Sequence, residues 1–152
     1  MNKVIIYTDG GARNNPGPAG IGAVIYEGDP SMDSTSSPHA GSGQAKKIAE
    51  LKKFIGNQTN NFAEYEAVAI ALTEAKKRGF SKHQIEVRLD SQLVAEQLSN
   101  NYQVKEPTLW PQYMKVHNLL VANFPQATFT YIPREKNKDA DRLVNEVIDE
   151  QY

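Results

Sequence analysis

Hydrophobic residues follow strand-like spacing in the first part of the chain. "KVIIYTD" and "IGAVIYEG" are short apolar runs separated by a stretch rich in Gly, Pro and Asn, which predicts two strands joined as a hairpin. "QAKKIAELKKFIG" is ambiguous, because Ile48, Leu51 and Ile55 have helical spacing. We predict a third antiparallel strand there, because a strand suits the preceding hairpin.

The second part of the chain alternates helical and strand-like patterns. "TNNFAEYEAVAIALTEAKKRG" has apolar residues at helical spacing, with Asn60 or Asn61 as a candidate cap and Gly79 as a stop signal. A strand in "QIEVRLDS" leads to Asp90 and Ser91, which can cap a short helix "SQLVAEQL". "LWPQYMKVHNLLVANF" and "KDADRLVNEVIDE" also have helical patterns, with a strand "ATFTYIP" between them. This order predicts an α/β fold in which helices cover a mixed sheet.

Composition narrows the class of protein. A chain of 152 residues with 39% hydrophobic content fits a single domain over residues 1–152 that buries a sizeable core. The Ser-, Pro- and Gly-rich segment 29–43 predicts a flexible loop inside that domain. No apolar run approaches the roughly 20 residues that span a bilayer, and the N-terminal run is too short for a signal peptide. We therefore expect a cytoplasmic protein without membrane contacts.

Charge and cysteine content limit the possible sites. The chain has no cysteine, which excludes disulfides and thiolate metal sites and leaves oxygen or histidine as metal ligands. Its net charge of -1 is not typical of a strongly basic nucleic-acid-binding protein. A polyanionic partner must therefore be held locally or through a metal ion.

Four carboxylates are notable for their positions. Asp9 and Asp90 directly follow apolar strands, Glu64 lies in the first turn of the central helix, and Asp141 lies early in the last helix. Functional groups of α/β sheets gather at the carboxyl ends of strands, and clustered carboxylates repel unless a cation such as Mg²⁺ or Mn²⁺ neutralises them. Each acid taken alone also fits a structural role, as a cap or as a solvated helix acid.

Four blocks of sequence surround these acids. They are "TDGGARNNPGPAGIGAVIY", "TNNFAEYEAVAIAL", "VRLDSQLVAEQLSNNYQVK" and "YIPREKNKDADRLVNEVID". In these blocks the chain resembles type 1 ribonuclease H, in its compact bacterial and archaeal branch. The resemblance implies a ribonuclease H-like fold, with a five-stranded mixed sheet whose first three strands are antiparallel and which is flanked by helices.

The resemblance also implies an activity. It implies endonucleolytic hydrolysis of the RNA strand of an RNA/DNA hybrid with two Mg²⁺ or Mn²⁺ ions, leaving 5′-phosphate and 3′-hydroxyl ends. We also expect a monomer without a small-molecule organic cofactor. Alternatives are a nuclease of the same fold with relaxed duplex preference, including RNA/RNA, an inactive hybrid-binding module, and a small-molecule phosphatase.

Site residues carry over by motif. The resemblance implies that the four acids bind metal, and the family spacing selects Glu64 over Glu66 and Asp141 over Asp139. It implies substrate contacts for a second set of residues: Gly10, Gly11, Asn15, Asn60, Asn61 and Gln92. Amide side chains suit the minor groove of an A-like duplex, where they meet 2′-hydroxyls and base edges. Helix capping remains an alternative for the two adjacent asparagines, and a turn with positive φ remains one for the two glycines.

The chain departs from many family members in two places. The loop "PREKNKDAD" contains no histidine, and we expect Arg134 or Glu135 to substitute in part. Arg134 fits either a phosphate contact or a surface salt bridge. The basic, Trp-bearing protrusion of larger relatives is absent, which predicts weaker and salt-sensitive binding of the hybrid. We expect Trp110 to lie in the core, because it falls on an amphipathic helix.

Overall fold

The computed structural model describes residues 3–31 and 45–152, which form a five-stranded mixed sheet flanked by helices. The strands are β1 (Val4–Ala12), β2 (Gly17–Glu27), β3 (Lys46–Gln58), β4 (Ile85–Leu89) and β5 (Thr128–Tyr131). The helices are α1 (Asn60–Lys77), α2 (Gln92–Leu98), α3 (Trp110–Asn123) and α4 (Lys138–Asp149). The predicted fold class and the third strand are confirmed. Most of the predicted flexible loop, residues 32–43, lies outside the described residues.

Strand order in the sheet is β3-β2-β1-β4-β5. β1 and β2 pair antiparallel, as do β2 and β3, whereas β4 pairs parallel with both β1 and β5. In the parallel register of β1 and β4, Thr8 lies opposite Leu89. The residues that follow them, Asp9 and Asp90, are therefore brought to the same edge of the sheet.

Local signals explain where the helices begin and end. Thr59 caps α1, because its hydroxyl accepts a hydrogen bond from the backbone N–H of Phe62 at 3.1 Å. The predicted cap at Asn60 or Asn61 is therefore wrong by one or two positions. Ser91 caps α2 through the N–H of Val94, as one of the two predicted caps. Gly79, with φ of 84°, follows the end of α1 as predicted.

Helix α4 lies close against the sheet. Its apolar stripe, predicted from the sequence, is buried: Ala140, Leu143, Val144, Val147 and Ile148. Gly22 of β2 permits the approach, because a Cβ atom there would stand 2.4 Å from the carbonyl oxygen of Ala140. The residue after Ala140 is Asp141, so this packing also fixes where the fourth candidate acid stands.

Trp110 is not a core residue. Its side chain is 46% exposed, and it packs edge-to-face on Tyr113. The prediction of a buried Trp110 was wrong because Leu109, in the 3-10 turn before α3, takes the buried position instead. Within the described residues, no helix combines the length and the hydropathy needed to cross a membrane.

Candidate active site

Asp9 and Asp90 stand side by side at the edge of the sheet. The parallel register of β1 and β4 places them there, one residue beyond the Thr8 and Leu89 pair. Asp9 is 7% exposed, and Asp90 is half-buried. Two carboxylates held this close, with little access to water, need compensation by protons or by a cation.

Gly10 brings Glu64 to Asp9. Its backbone N–H donates to Asp9 Oδ1 and to Glu64 Oε1, each at 3.0 Å. A Cβ atom on Gly10 would lie 2.2 Å from the carbonyl oxygen of Ala63, so only glycine lets α1 approach β1 this closely. Gly10 and Gly11 both lie inside β1, and neither has a positive φ. The alternative of a turn with positive φ therefore does not apply to either glycine.

Asp9, Glu64 and Asp90 form a compact carboxylate cluster. Each offers one oxygen, and the three oxygens lie within 4.8 Å of one another. Glu64 Oε2 is buried and has no hydrogen-bond partner among the described residues. Oxygen donors of this kind, one of them unpaired and buried, fit a hard divalent cation such as Mg²⁺ or Mn²⁺.

The pKa values of the three acids also indicate that the cluster needs either protons or a cation. Burial raises the pKa of Asp9 to about 7, and the charges of Asp90 and Asp141 add to the rise. Burial also raises the pKa of Glu64 well above its usual range, with the charge of Asp9 as the next cause. The pKa of Asp90 is raised by burial, and hydrogen bonding from Asn137 offsets part of the rise. Without a cation, the folded chain therefore retains protons on these carboxylates at a pH where free carboxylates are ionised.

Asp141 and Arg134 line the same cleft as the cluster. Asp141 lies in the first turn of α4 and is half-buried. It stands outside the compact group of three acids. Arg134 Nη2 lies 3.8 Å from Asp141 Oδ1, and the Arg134 side chain is 82% exposed. This weak ion pair leaves the guanidinium accessible to a ligand.

Asn15 and Asn60 link the β1–β2 turn to α1. Asn60 Oδ1 accepts from the N–H of Ala12 at 2.8 Å, and Asn15 Oδ1 accepts from the N–H of Asn60 at 2.9 Å. Both side-chain oxygens are thus used within the protein, and each amide nitrogen has no partner among the described residues. The remaining amide candidates, Asn61 and Gln92, are exposed at the starts of α1 and α2, outside the lining of the cleft.

Glu66 and Asp139, each two positions from a candidate metal ligand, lie in different surroundings from Glu64 and Asp141. Glu66 accepts hydrogen bonds from Gln112 at 3.0 Å and from Lys115 at 2.9 Å, both on α3. Asp139 is exposed and lines a separate cavity together with Tyr26. These contacts distinguish Glu64 from Glu66 and Asp141 from Asp139.

No described histidine lies in the cleft. His83 packs edge-to-face on Phe80, and His117 stacks on Tyr113. His39 lies outside the described residues. Arg134, in the loop where many family members carry a histidine, lines the cleft, whereas Glu135 does not.

Asn137 is a residue at the site that the sequence analysis did not identify. It is 1% exposed, and its side-chain amide donates to the carbonyl oxygen of Thr8 at 2.8 Å. A separate interaction of its side chain with Asp90 offsets part of the rise that burial causes in the pKa of Asp90. The available signal was an asparagine at the start of a predicted helix, four residues before Asp141.

Together these residues line an open cleft of about 420 Å³. Its floor holds the acids and the backbone of Gly10 and Gly11, and its rim includes Arg134. Arg13 and Asn145 also line the cleft and were not singled out from the sequence. The arrangement can hold divalent cations on its floor and a polyanionic chain across its mouth.

Comparison with known proteins supports this description. A family profile described as "Reverse transcriptase-like" matches residues 7–147. Ribonuclease HI of Halobacterium salinarum is 37% identical over 148 residues, covering 97% of this chain and 65% of that protein. The bifunctional protein Rv2228c of Mycobacterium tuberculosis is 39% identical over 147 residues, covering 97% of this chain and 36% of that protein. The chain thus spans between about a third and two thirds of the length of these relatives.

A solved structure shares both fold and sequence with the chain. LC11-RNase H1, crystallised in complex with an RNA/DNA hybrid, superposes with a TM-score of 0.82 and is 43% identical. The match covers 97% of this chain and 98% of that one. The chain therefore belongs to the type 1 ribonuclease H family, together with its bacterial and archaeal members.

Proposed function

We propose that the protein hydrolyses the RNA strand of RNA/DNA hybrids endonucleolytically. The observation that carries this proposal is the cluster of Asp9, Glu64 and Asp90, whose carboxylate oxygens lie within 4.8 Å of one another on the floor of an open cleft. The hybrid bound to the similar LC11-RNase H1 supports the choice of substrate. A site for binding alone would not place carboxylates where they repel phosphate.

We propose Asp9, Glu64, Asp90 and Asp141 as ligands for two Mg²⁺ or Mn²⁺ ions. The unpaired, buried Oε2 of Glu64 supports this assignment, because a buried carboxylate oxygen normally has a donor or a cation beside it. The four carboxylates would hold these ions, which would supply an activated water and positive charge beside the leaving oxygen. The water oxygen forms a bond to phosphorus and the P–O3′ bond breaks, which leaves 5′-phosphate and 3′-hydroxyl ends.

We propose that the residues around the acids hold the RNA strand. The amide nitrogens of Asn15 and Asn60, whose oxygens are used inside the protein, are placed to donate to 2′-hydroxyls and base edges. Asn61 and Gln92 extend this polar surface at the starts of two helices. Gly10 and Gly11 add a backbone without side chains, and Arg134 adds an exposed cation for a phosphate.

The test is a panel of labelled duplexes. RNA/DNA, RNA/RNA and DNA/DNA duplexes of one sequence are incubated with Mg²⁺ or Mn²⁺, and with EDTA as a control. We expect cleavage of the RNA strand in the hybrid only, and products that carry a 5′-phosphate and an extendable 3′-hydroxyl. Equal cleavage of RNA/RNA would support the relaxed nuclease instead. Binding of the hybrid without cleavage under any condition would support the inactive module.

Assembly and location are further proposals. We propose that the chain acts as a monomer, as expected from the sequence. Sedimentation equilibrium, at protein concentrations that span those of the cleavage assay, tests this. A cytoplasmic location and a single domain over residues 1–152 stay predictions from the sequence.

A further inference from the structure

Asn137 lies between two segments that carry candidate site residues. It follows the 3-10 turn Arg134–Lys136 and precedes α4. Its backbone N–H donates to the carbonyl oxygen of Arg134 at 2.9 Å, and its own carbonyl accepts from the N–H of Asp141 at 3.1 Å. One residue thus contacts both the candidate phosphate-binding arginine and the fourth candidate acid.

The side chain of Asn137 reaches across to the sheet. Asparagine before a helix usually caps it, but this side chain makes no capping hydrogen bond to α4. Instead its Nδ2 donates to the carbonyl oxygen of Thr8 at 2.8 Å, at the point where β4 has ended opposite β1. Because that carbonyl can only accept, the amide orientation is fixed by chemistry.

Thr8, which accepts this hydrogen bond, lies next to candidate metal ligands. It directly precedes Asp9, and its neighbour across the sheet, Leu89, directly precedes Asp90. The hydrogen bond from Asn137 therefore ties the start of α4 to the part of the sheet that carries two candidate metal ligands, Asp9 within β1 and Asp90 after β4. Asn137 is 1% exposed, so this hydrogen bond is shielded from water, and its Oδ1 is buried without a partner among the described residues.

We propose that Asn137 is a positioning residue that sets the distance between Asp141 and the cluster of Asp9, Glu64 and Asp90. The inference rests on the proposed function, since it assumes that these four acids hold divalent cations. Residues that orient metal ligands typically change metal affinity by about 10–100-fold when they are removed. Loss of the Asn137 side chain is therefore expected to weaken metal binding, although Asn137 itself is not proposed as a ligand.

The experiment measures Mn²⁺ binding to the full chain without substrate, by electron paramagnetic resonance. It compares the wild type, Asn137→Ala and Asn137→Ser with Val116→Ala, a core variant on α3 that lowers stability away from the site. We expect Mn²⁺ affinity about tenfold lower in both Asn137 variants and unchanged in Val116→Ala. In cleavage assays, kcat should fall in the Asn137 variants while KM for the hybrid stays within about twofold.

The possible results separate this inference from the proposed function. Mn²⁺ affinity of the Asn137 variants equal to that of the wild type would overturn the positioning role and leave the proposed function intact. If Asn137→Ala does not fold, Asn137→Ser decides, because its hydroxyl keeps a polar group at the buried position while its shorter side chain loses the hydrogen bond to Thr8. Absence of Mn²⁺ binding by the wild type would overturn the proposed function, and this inference with it.

Discussion

Asp9 and Glu64 accept hydrogen bonds from the same donor, the backbone N–H of Gly10, at 3.0 Å each. One donor cannot neutralise two buried carboxylates, so both pKa values remain raised. The two carboxylates therefore repel each other when both are ionised. Protons remove this repulsion at low pH, and a divalent cation is proposed to remove it at neutral pH. A substitution that removes one of the two charges should therefore lower activity and raise stability.

The first prediction compares Glu64→Gln with Glu66→Gln. Glu64 lies in the carboxylate cluster, whereas Glu66 is bound to Gln112 and Lys115 of α3. We expect Glu64→Gln to lower kcat for hybrid cleavage by at least about 100-fold, because a charged group at the reacting centre is lost. Glu66→Gln should keep kcat within about threefold. Equal losses in the two variants would contradict the assignment of Glu64.

The second prediction concerns Gly10→Ala. The new Cβ atom would stand 2.2 Å from the carbonyl oxygen of Ala63, which is backbone and cannot swing away. We expect the unfolding free energy to fall by about 3 kcal/mol or more, because β1 and α1 must separate. Gly11→Ala is the control, since the nearest atoms to its Cβ would be 3.9 Å away. Urea unfolding followed by circular dichroism measures both, and a similar loss in the two variants would contradict the packing argument.

The third prediction concerns the pH dependence of stability without metal. The pKa of Asp9 is about 7 in the folded chain against 3.8 for a free side chain, so the folded state binds this proton more tightly. The resulting stabilisation is complete below about pH 4 and is lost as the pH rises through about 7. In EDTA, the unfolding free energy of the wild type relative to Asp9→Asn should therefore fall by about 3 kcal/mol between pH 5 and pH 8.

The comparison with Asp9→Asn removes from this measurement the titrations of groups that do not interact with Asp9. The Arg88 guanidinium, for example, holds the pKa of Asp29 well below its usual range, which destabilises the fold at acid pH in both proteins. Mg²⁺ at pH 8 should stabilise the wild type and leave Asp9→Asn nearly unaffected. Parallel pH curves for the two proteins in EDTA would show that Asp9 titrates like a free carboxyl.

Local patterns in the sequence were sufficient for much of the fold. Strand and helix periodicity located β1, β4, α1 and α4. The two acids predicted to follow strands do lie close together, although the prediction was wrong for Asp9, which lies within β1 because pairing with β2 continues to Ala12. The ambiguous segment that became β3 could not be assigned by periodicity, because its apolar spacing fits a helix as well as a strand. Pairing with β2, a property of the whole sheet, decides it.

Features that depend on contacts distant in sequence were not predicted. The requirement for glycine at Gly10 arises from the backbone of Ala63, which lies 53 positions away along the chain. The role of Asn137 depends on Thr8, and the sequence separation of that hydrogen bond is 129. Trp110 was misplaced because the 3-10 turn before α3 changes which residue faces the core. In each case, packing rather than local propensity determines the outcome.

The fourth prediction tests Arg134 as a phosphate contact. Its side chain is 82% exposed and lines the cleft, while Lys136, on the same 3-10 turn, lines a separate cavity. Arg134→Ala should weaken hybrid binding about 5- to 10-fold and lower the slope of log K against log salt by nearly one, because one phosphate contact is lost. Thermal stability should not change, since exposed ion pairs contribute little.

Lys136→Ala is the matched control for Arg134→Ala. It removes the same charge from the same turn, so a loss of affinity that arises only from the overall field of the protein should be equal in both variants. A local phosphate contact instead predicts a clear loss for Arg134→Ala and a small one for Lys136→Ala. Fluorescence anisotropy with a labelled hybrid, in a Glu64→Gln background that prevents cleavage, measures both affinities. Equal losses of affinity in the two variants would show that Arg134 acts only through the overall charge of the protein. Its ion pair with Asp141 would then be the one specific contact of its side chain among the described residues.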